Sequence, residues 1–272
     1  MKRLTALMAL TLVLVLGLSV AQAATNKLDE IKQRGTLVAG VKDATPPFGY
    51  VDENKQLVGF EPDLLKYIAD KMGVKLELKP VTSSTRIPML TQGSVDMVAA
   101  TMTHQLQRDD VIDFSITYFM DGQSLLVKKG SGVKSVADLA DKKVSTSKGS
   151  TSEKNVKEAQ PKCNVLSFDD YPQAFLALKQ GKVEAMTTDA TILIGQKSKD
   201  DNPDQWELVG GFFSDEPYGM GIPEDQSKLR DFVNAALMDC WRTGTYKKIY
   251  DKWFGADTKF HIPLVWKMEL WP

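Results

Sequence analysis

Hydroxyl and cationic side chains crowd the stretch VTSSTRIPML, Val81 to Leu90. Ser83, Ser84 and Thr85 stand just ahead of Arg86, which opens a short apolar pattern of helical spacing. The free N–H groups and positive dipole end of a helix start favour an anion. Comparable side chains recur at Lys42-Asp43, at Thr101 and Thr103 with Arg108, and at Ser150-Thr151-Ser152. Asp189 adds the opposite charge, suited to an ammonium group. Guanidinium grips a carboxylate with a two-pronged fork. The set as a whole complements a ligand with two carboxylates and one ammonium. Each member also has a plainer reading. Arg86 fits a solvated surface, Arg108 a salt bridge to Asp109 or Asp110, and Asp189 a helix cap. Ser150 or Thr151 with Glu153 resembles a capping box. Phe48 and Tyr50 suit a core as well as a cleft.

These residues need a scaffold, and the pattern supplies one. TLVAGV (Thr36 to Val41), KLELK (Lys75 to Lys79) and VDMVAA (Val95 to Ala100) read as strands. Between them PDLLKYIADKM reads as a helix, with Leu64, Leu65, Ile68, Ala69 and Met72 on one face. Pro62 suits its first turn. Ile87 to Gln92 reads as a second, short helix. The order repeats after LLVKKG (Leu125 to Gly130). KKVSTS, NVLSF and KVEAMTT read as strands, and Thr151 to Ala159, Pro172 to Gln180 and Thr191 to Lys197 as helices. The tail from Asp225 to Trp253 reads as helical, with Leu229, Phe232, Val233, Ala236 and Leu237 on one face. Repeated βαβ order implies α/β architecture with largely parallel sheets. Two such units predict two lobes, with Thr117 to Gln123 and Ser214 to Gly219 crossing between them. Ligands of open α/β sheets bind at the carboxyl ends of strands, where the polar stretches above fall.

Composition narrows the function. A chain of 272 residues, 43% hydrophobic and 25% charged, suits a soluble globular protein. A net charge of −1 offers no basic surface for nucleic acid or an anionic membrane. Lys2 and Arg3, an apolar run from Ala6 to Val20 and Ala21-Gln22-Ala23 predict a cleaved signal peptide over residues 1–23. Export permits a disulfide between Cys163 and Cys240, and two free thiols fit as well. Two histidines, His104 and His261, and no clustered spacing give no reason to expect a metal, and no cofactor loop is present.

Several stretches resemble the periplasmic substrate-binding proteins of ABC importers, in the branch for polar amino acids. They are GFEPDLLKYIADKMG, GSVDMVAATMT, RDDVIDFSITY, DDYPQAFLALKQGKVEAMTTD and GTYKKIYDKWFG. TSSTRIPMLTQGSVD and DNPDQWELVGGFFSDEPYGMGIP are most similar to glutamate/aspartate binders. The resemblance implies a two-lobed periplasmic-binding-protein fold, with residues 24–120 and 218–272 in one lobe and 121–217 in the other. It implies a monomeric, periplasmic, non-enzymatic receptor that closes on its ligand by a hinge and delivers it to a membrane permease. It implies that Arg108 and Ser150, Thr151 and Ser152 hold the α-carboxylate, and Asp189, Thr101 and Thr103 the ammonium. Ser83 and Arg86 would then face a side-chain carboxylate. Lys42 stands where such binders carry an arginine, keeping the charge without the fork. Tyr171 replaces a polar ring such as histidine and either contacts the ligand or lines the cleft. Gln105 and Leu106 replace the usual Thr-Pro ahead of Arg108, and Pro62 an aliphatic residue. Glutamine or another polar amino acid is the alternative ligand. A sensor with a separate receptor is a further reading. So is a cyclohexadienyl-dehydratase-like enzyme, which would need Glu153 or Glu184 as general acid.

Overall fold

The computed structural model describes residues 26–272; the expected signal peptide lies outside them. Fourteen strands are present among the described residues. They are β1 (Thr36–Val41), β2 (Ala44–Thr45), β3 (Gly49–Val51), β4 (Leu57–Val58), β5 (Lys75–Pro80), β6 (Met97–Val98) and β7 (Ile112–Phe114). The chain continues with β8 (Phe119–Lys128), β9 (Lys143–Ser147), β10 (Asn164–Phe168), β11 (Ala185–Asp189), β12 (Trp206–Val209), β13 (Asp215–Tyr218) and β14 (Gly221–Pro223). One sheet runs β5-β1-β6-β14-β7 and a second runs β10-β9-β11-β8-β12. Each forms the centre of a lobe.

In the first sheet β1 lies parallel to β5, from Thr36 opposite Lys75 to Val41 opposite Pro80, and parallel to β6 on its other edge. The helix Phe60–Met72 makes the crossover. Its predicted face, Leu64, Leu65, Ile68, Ala69 and Met72, is buried. Each fully buried leucine or isoleucine there contributes about 1.5–3 kcal/mol. The helix ends at Gly73, in the left-handed region at φ 76°, whose N–H returns to the carbonyls of Ala69 and Asp70. The second sheet repeats the device, with β9 parallel to both β10 and β11.

Two predicted elements come out differently. The strand expected over Val95 to Ala100 pairs only at Met97–Val98. Thr101 beyond it turns to a φ of +45° and takes its chain out of the sheet. The tail helix is two helices, Ser227–Arg242 and Thr245–Phe254. Gly244 separates them at φ 73°, where a β-carbon is disfavoured and glycine is not.

The lobes meet along β8. Its first residues pair antiparallel with β13, Phe119 opposite Tyr218 and Gly122 opposite Asp215. Its later residues join β11 and β12 in the second sheet. Away from this ladder the lobes approach closely. The amide of Gln196 donates to the carbonyl of Ala44 at 3.0 Å. A β-carbon on Gly195 would fall 1.7 Å from the carbonyl oxygen of Pro46. Gly195 lies in the helix Ala190–Lys197, where alanine would otherwise gain about 1 kcal/mol in helix propensity. Gly195→Ala is therefore expected to leave a folded protein whose lobes cannot reach this approach. Small-angle scattering should report a larger radius of gyration than wild type; an unchanged radius would remove the role given to Gly195.

Candidate functional site

The residues singled out in the sequence fall just beyond the carboxyl ends of six strands. Lys42 follows β1, Ser83 and Arg86 follow β5, and Thr101, Thr103 and Arg108 follow β6. Ser150, Thr151 and Ser152 follow β9, Tyr171 follows β10, and Asp189 ends β11. Lobe closure brings both groups together.

On the first lobe Arg86 is buried, which rejects the surface reading. Its Nη1 donates to the carbonyls of Ala100 and Thr101 at 2.6 and 2.8 Å. Its Nε has no partner. Lys42 is also buried; its Nζ donates to Ser83 Oγ at 2.6 Å and lies 5.4 Å from the centre of the Tyr171 ring on the other lobe. Burial, then the neighbouring Arg86 charge, lowers the Lys42 pKa well below its ordinary value. Arg108 makes no salt bridge to Asp109, which instead meets His104. Its Nη1 donates to the Thr103 carbonyl at 2.6 Å and its Nη2 reaches the Gly149 carbonyl of the other lobe at 3.5 Å. Desolvation and Arg86 lower its pKa to about 9.

On the second lobe Asp189 precedes the helix Ala190–Lys197 without capping it. Oδ2 accepts from the Tyr218 hydroxyl, while Oδ1 is buried without a partner. Burial and the charges of Glu216 and Asp121 raise its pKa well above the usual carboxylate range. Thr151 Oγ1 donates to Glu216 Oε2 at 2.9 Å. Ser150 heads its helix without a side-chain cap; its hydroxyl turns back to the Ser147 carbonyl at 2.6 Å. Ser152 faces Thr188 within its own lobe at 3.3 Å.

Three acids absent from the sequence expectation complete the arrangement. Glu216, on β13, accepts on one oxygen from Thr103 and Thr151, and on the other from Asn155 and Ser214. It therefore ties the two lobes together. Asp121 lies opposite it in the β8–β13 ladder and accepts from the N–H groups of Gly122 and Thr191. Glu61 accepts from the Thr101 N–H at 2.6 Å and from the Tyr118 hydroxyl. Glu61 and Glu216 sit inside the quoted GFEPDLL and DEPYG stretches, so family pattern was their one available signal. Phe48 is core, ringed by Phe60, Phe119, Tyr218 and Phe254; Tyr50 is half-buried against Trp253.

A cavity of about 630 Å³ opens elsewhere on the seam, beside Pro46, Tyr50, Lys199 and Phe260; none of the predicted site residues lines it. Glu153 pairs with Lys157, and Glu184 accepts from the backbone N–H of Lys143. Cys163 and Cys240 are free.

The constellation gathers buried charges whose hydrogen bonds are partly unfilled. Residues 37–256 match the bacterial extracellular solute-binding proteins, family 3. The chain belongs to that family. This solute-binding protein is 44% identical over 237 residues to the ABC transporter glutamine-binding protein GlnH of Bacillus subtilis, covering 85% of this chain and 86% of the relative. It is 33% identical to the glutamate/aspartate import solute-binding protein of Escherichia coli, over 93% of this chain and 88% of the relative. Its structure resembles an ancestral arginine-binding protein bound to glutamine, with a TM-score of 0.78 and 44% identity over 82% of this chain and 99% of the other. It is thus a solute-binding protein by family, and the relatives it matches are named for binding amino acids.

Burial, opposed by hydrogen bonds from Gly122 and Thr191, raises Asp121 to about 7. A carboxyl whose folded pKa exceeds its unfolded value near 3.9 binds its proton more tightly when folded. Its contribution to stability therefore grows as pH falls from 8 through 7 and saturates near the unfolded value. The ligand-free melting temperature should rise by several degrees between pH 8 and pH 5.5, and Asp121→Asn should reduce that rise, to which Asp189 and Glu61 add with the same sign. An equal slope in the variant would exclude Asp121 as its source.

Proposed function

We propose that this solute-binding protein captures L-glutamine in the interlobe cleft and presents the closed form to its permease. In this reading residues 1–23 direct export to the periplasm, and the mature chain acts as a monomer. One lobe spans 24–120 with 218–272, the other 121–217. The pairing of β8 with β13 supports those boundaries, because both crossings run side by side there.

The observation that carries the reading is Asp189. A buried carboxylate oxygen without a partner is costly until a donor reaches it. An α-ammonium supplies three N–H donors. Thr101, whose hydroxyl is likewise buried and unpartnered, and Thr103 line the same side. Arg108, with Ser150, Thr151 and Ser152 at a helix start, suits the α-carboxylate. Ser83, Arg86, Lys42 and Tyr171 then surround the side-chain end. Glu61 lies behind this corner: burial raises its pKa, opposed by hydrogen bonds from Tyr118 and Thr101 and by the charges of Lys42 and Arg86, so an acid already accompanies the two cations. A neutral amide gives up less hydration than a carboxylate on entering such a corner. The B. subtilis relative named for glutamine supports the same choice. Glutamate or aspartate is the second reading, favoured by the two buried cations Lys42 and Arg86 and by the E. coli relative.

Unfolding, washing and refolding strips carried-over ligand. Melting curves with each standard amino acid then rank the ligands, since a thousandfold excess over Kd adds about 4 kcal/mol of stability. Glutamine is expected to give the largest shift. A larger shift with glutamate selects the second reading, and no shift with any amino acid rejects the cleft assignment. Arg108→Ala should abolish every shift. Arg86→Ala should weaken glutamate by about 3 kcal/mol and glutamine by less; equal losses would remove Arg86 from the side-chain end.

A further inference from the structure

The fully buried Glu61 has no role in the α-amino acid contacts above. It sits in the first turn of the helix Phe60–Met72, whose start is fixed by Gly59. A β-carbon on Gly59 would lie 2.1 Å from the Phe48 carbonyl oxygen, so the helix start is pressed against the chain leading out of β2. Glu61 Oε1 accepts from the Thr101 N–H and the Tyr118 hydroxyl. Its Oε2 is buried without a partner. The Thr101 carbonyl, on the same residue, accepts from Arg86 Nη1 at 2.8 Å. Thr101 holds a left-handed φ of +45°, unusual for a β-branched residue and sustained here from both sides of its peptide groups. Glu61, Thr101 and Arg86 thus form one unit, with Lys42 beside it.

We propose that Glu61 is the specificity-setting residue of the side-chain end: its carboxylate supplies the counter-charge for Lys42 and Arg86 and so biases the cleft toward a neutral side chain. The proposal rests on the assignment of that corner to the side-chain end. Two buried cations without Glu61 would demand an anionic ligand, because an unpaired buried charge is strongly unfavourable. With Glu61 joined to Arg86 through the two peptide groups of Thr101, part of that demand is offset from behind, and a second carboxylate enters against Glu61. Glu61 touches no reacting or ligand atom in this argument. It acts through the charges of Lys42 and Arg86 and through the Thr101 turn.

The test is calorimetric titration of stripped wild type and Glu61→Gln with glutamine and with glutamate at pH 7.5. Glu61→Gln keeps the shape and removes the charge. The ratio of glutamate to glutamine affinity is expected to rise at least tenfold, and Glu61→Asp, which restores a charge, should return it most of the way. Equal losses for both ligands would assign Glu61 a purely structural part and overturn the proposal. Should Glu61→Gln fail to fold, Tyr118→Phe serves instead. It removes one hydrogen bond that favours the ionised carboxylate and keeps the ring. The charged or titratable groups facing Glu61 are Lys42, Arg86 and Tyr118. In Tyr118→Phe the affinity ratio should drift toward glutamate as the solution is made more acidic, because burial already raises the Glu61 pKa and the lost hydrogen bond raises it further. A pH-independent ratio overturns the proposal by this route. If wild type prefers arginine to both ligands, the ligand assignment fails separately. The charge rule is then read on arginine, which Glu61→Gln must weaken relative to glutamine.

Discussion

A charge cannot be taken out of water alone, and the arrangement of this cleft follows from that constraint. Closure buries Lys42, Arg86, Glu61, Asp121, Asp189 and Glu216 within one region. These groups divide by how fully they are satisfied. Glu216 receives donors from four side chains drawn from both lobes. Glu61, Arg86 and Asp189 each leave a buried atom unpartnered. The saturated acid serves cohesion between the lobes. Of these, Arg86 and Asp189 are where a ligand's own charges and dipoles find their complement, and Glu61 stands behind them.

The fold delivers these groups by a simple rule. Parallel strands present their carboxyl ends on one edge of each sheet, and every predicted site residue follows such an end. Two sheets facing each other across β8 and β13 therefore point two sets of loops into one seam. Close backbone approach completes the seam. Gly195 meets Pro46 and Gly149 meets Ser84 at distances that a β-carbon would forbid. Size at these positions governs closure just as charge governs what is enclosed.

Much of this was legible in the sequence, and the misses have definite causes. The helix Phe60–Met72 and the strands β1, β5, β9 and β10 follow from apolar period and β-branched content, which report burial directly. β6 was overestimated because the run Val95 to Ala100 is apolar apart from Asp96, and periodicity cannot see that Thr101 leaves the sheet. The break at Gly244 was missed because the apolar face continues on both sides of it. The cations and Asp189 were legible because charge next to a strand end is a local pattern. Glu61, Asp121 and Glu216 were not, since an acid inside a helix or strand looks solvated until its tertiary partners are known. Ser152, named as a ligand donor from its polar stretch and the family resemblance, has its hydroxyl toward Thr188 in this structure.

The same distinction explains why ligand class is harder to derive than ligand scaffold. An α-ammonium and α-carboxylate ask for one anion and one cation in fixed positions, which strand ends supply by topology. The side-chain end depends instead on a balance among Lys42, Arg86 and Glu61, in which burial lowers the lysine pKa and raises that of the carboxylate. Adding or removing one proton from that group changes the charge the ligand meets by a full unit. Counting cations near strand ends points to an acidic ligand, and including the buried acid behind them reverses the inference toward an amide. On the proposed reading, specificity in this cleft rests with a residue one layer behind the contact surface, on the helix that the β1–β5 crossover requires for other reasons.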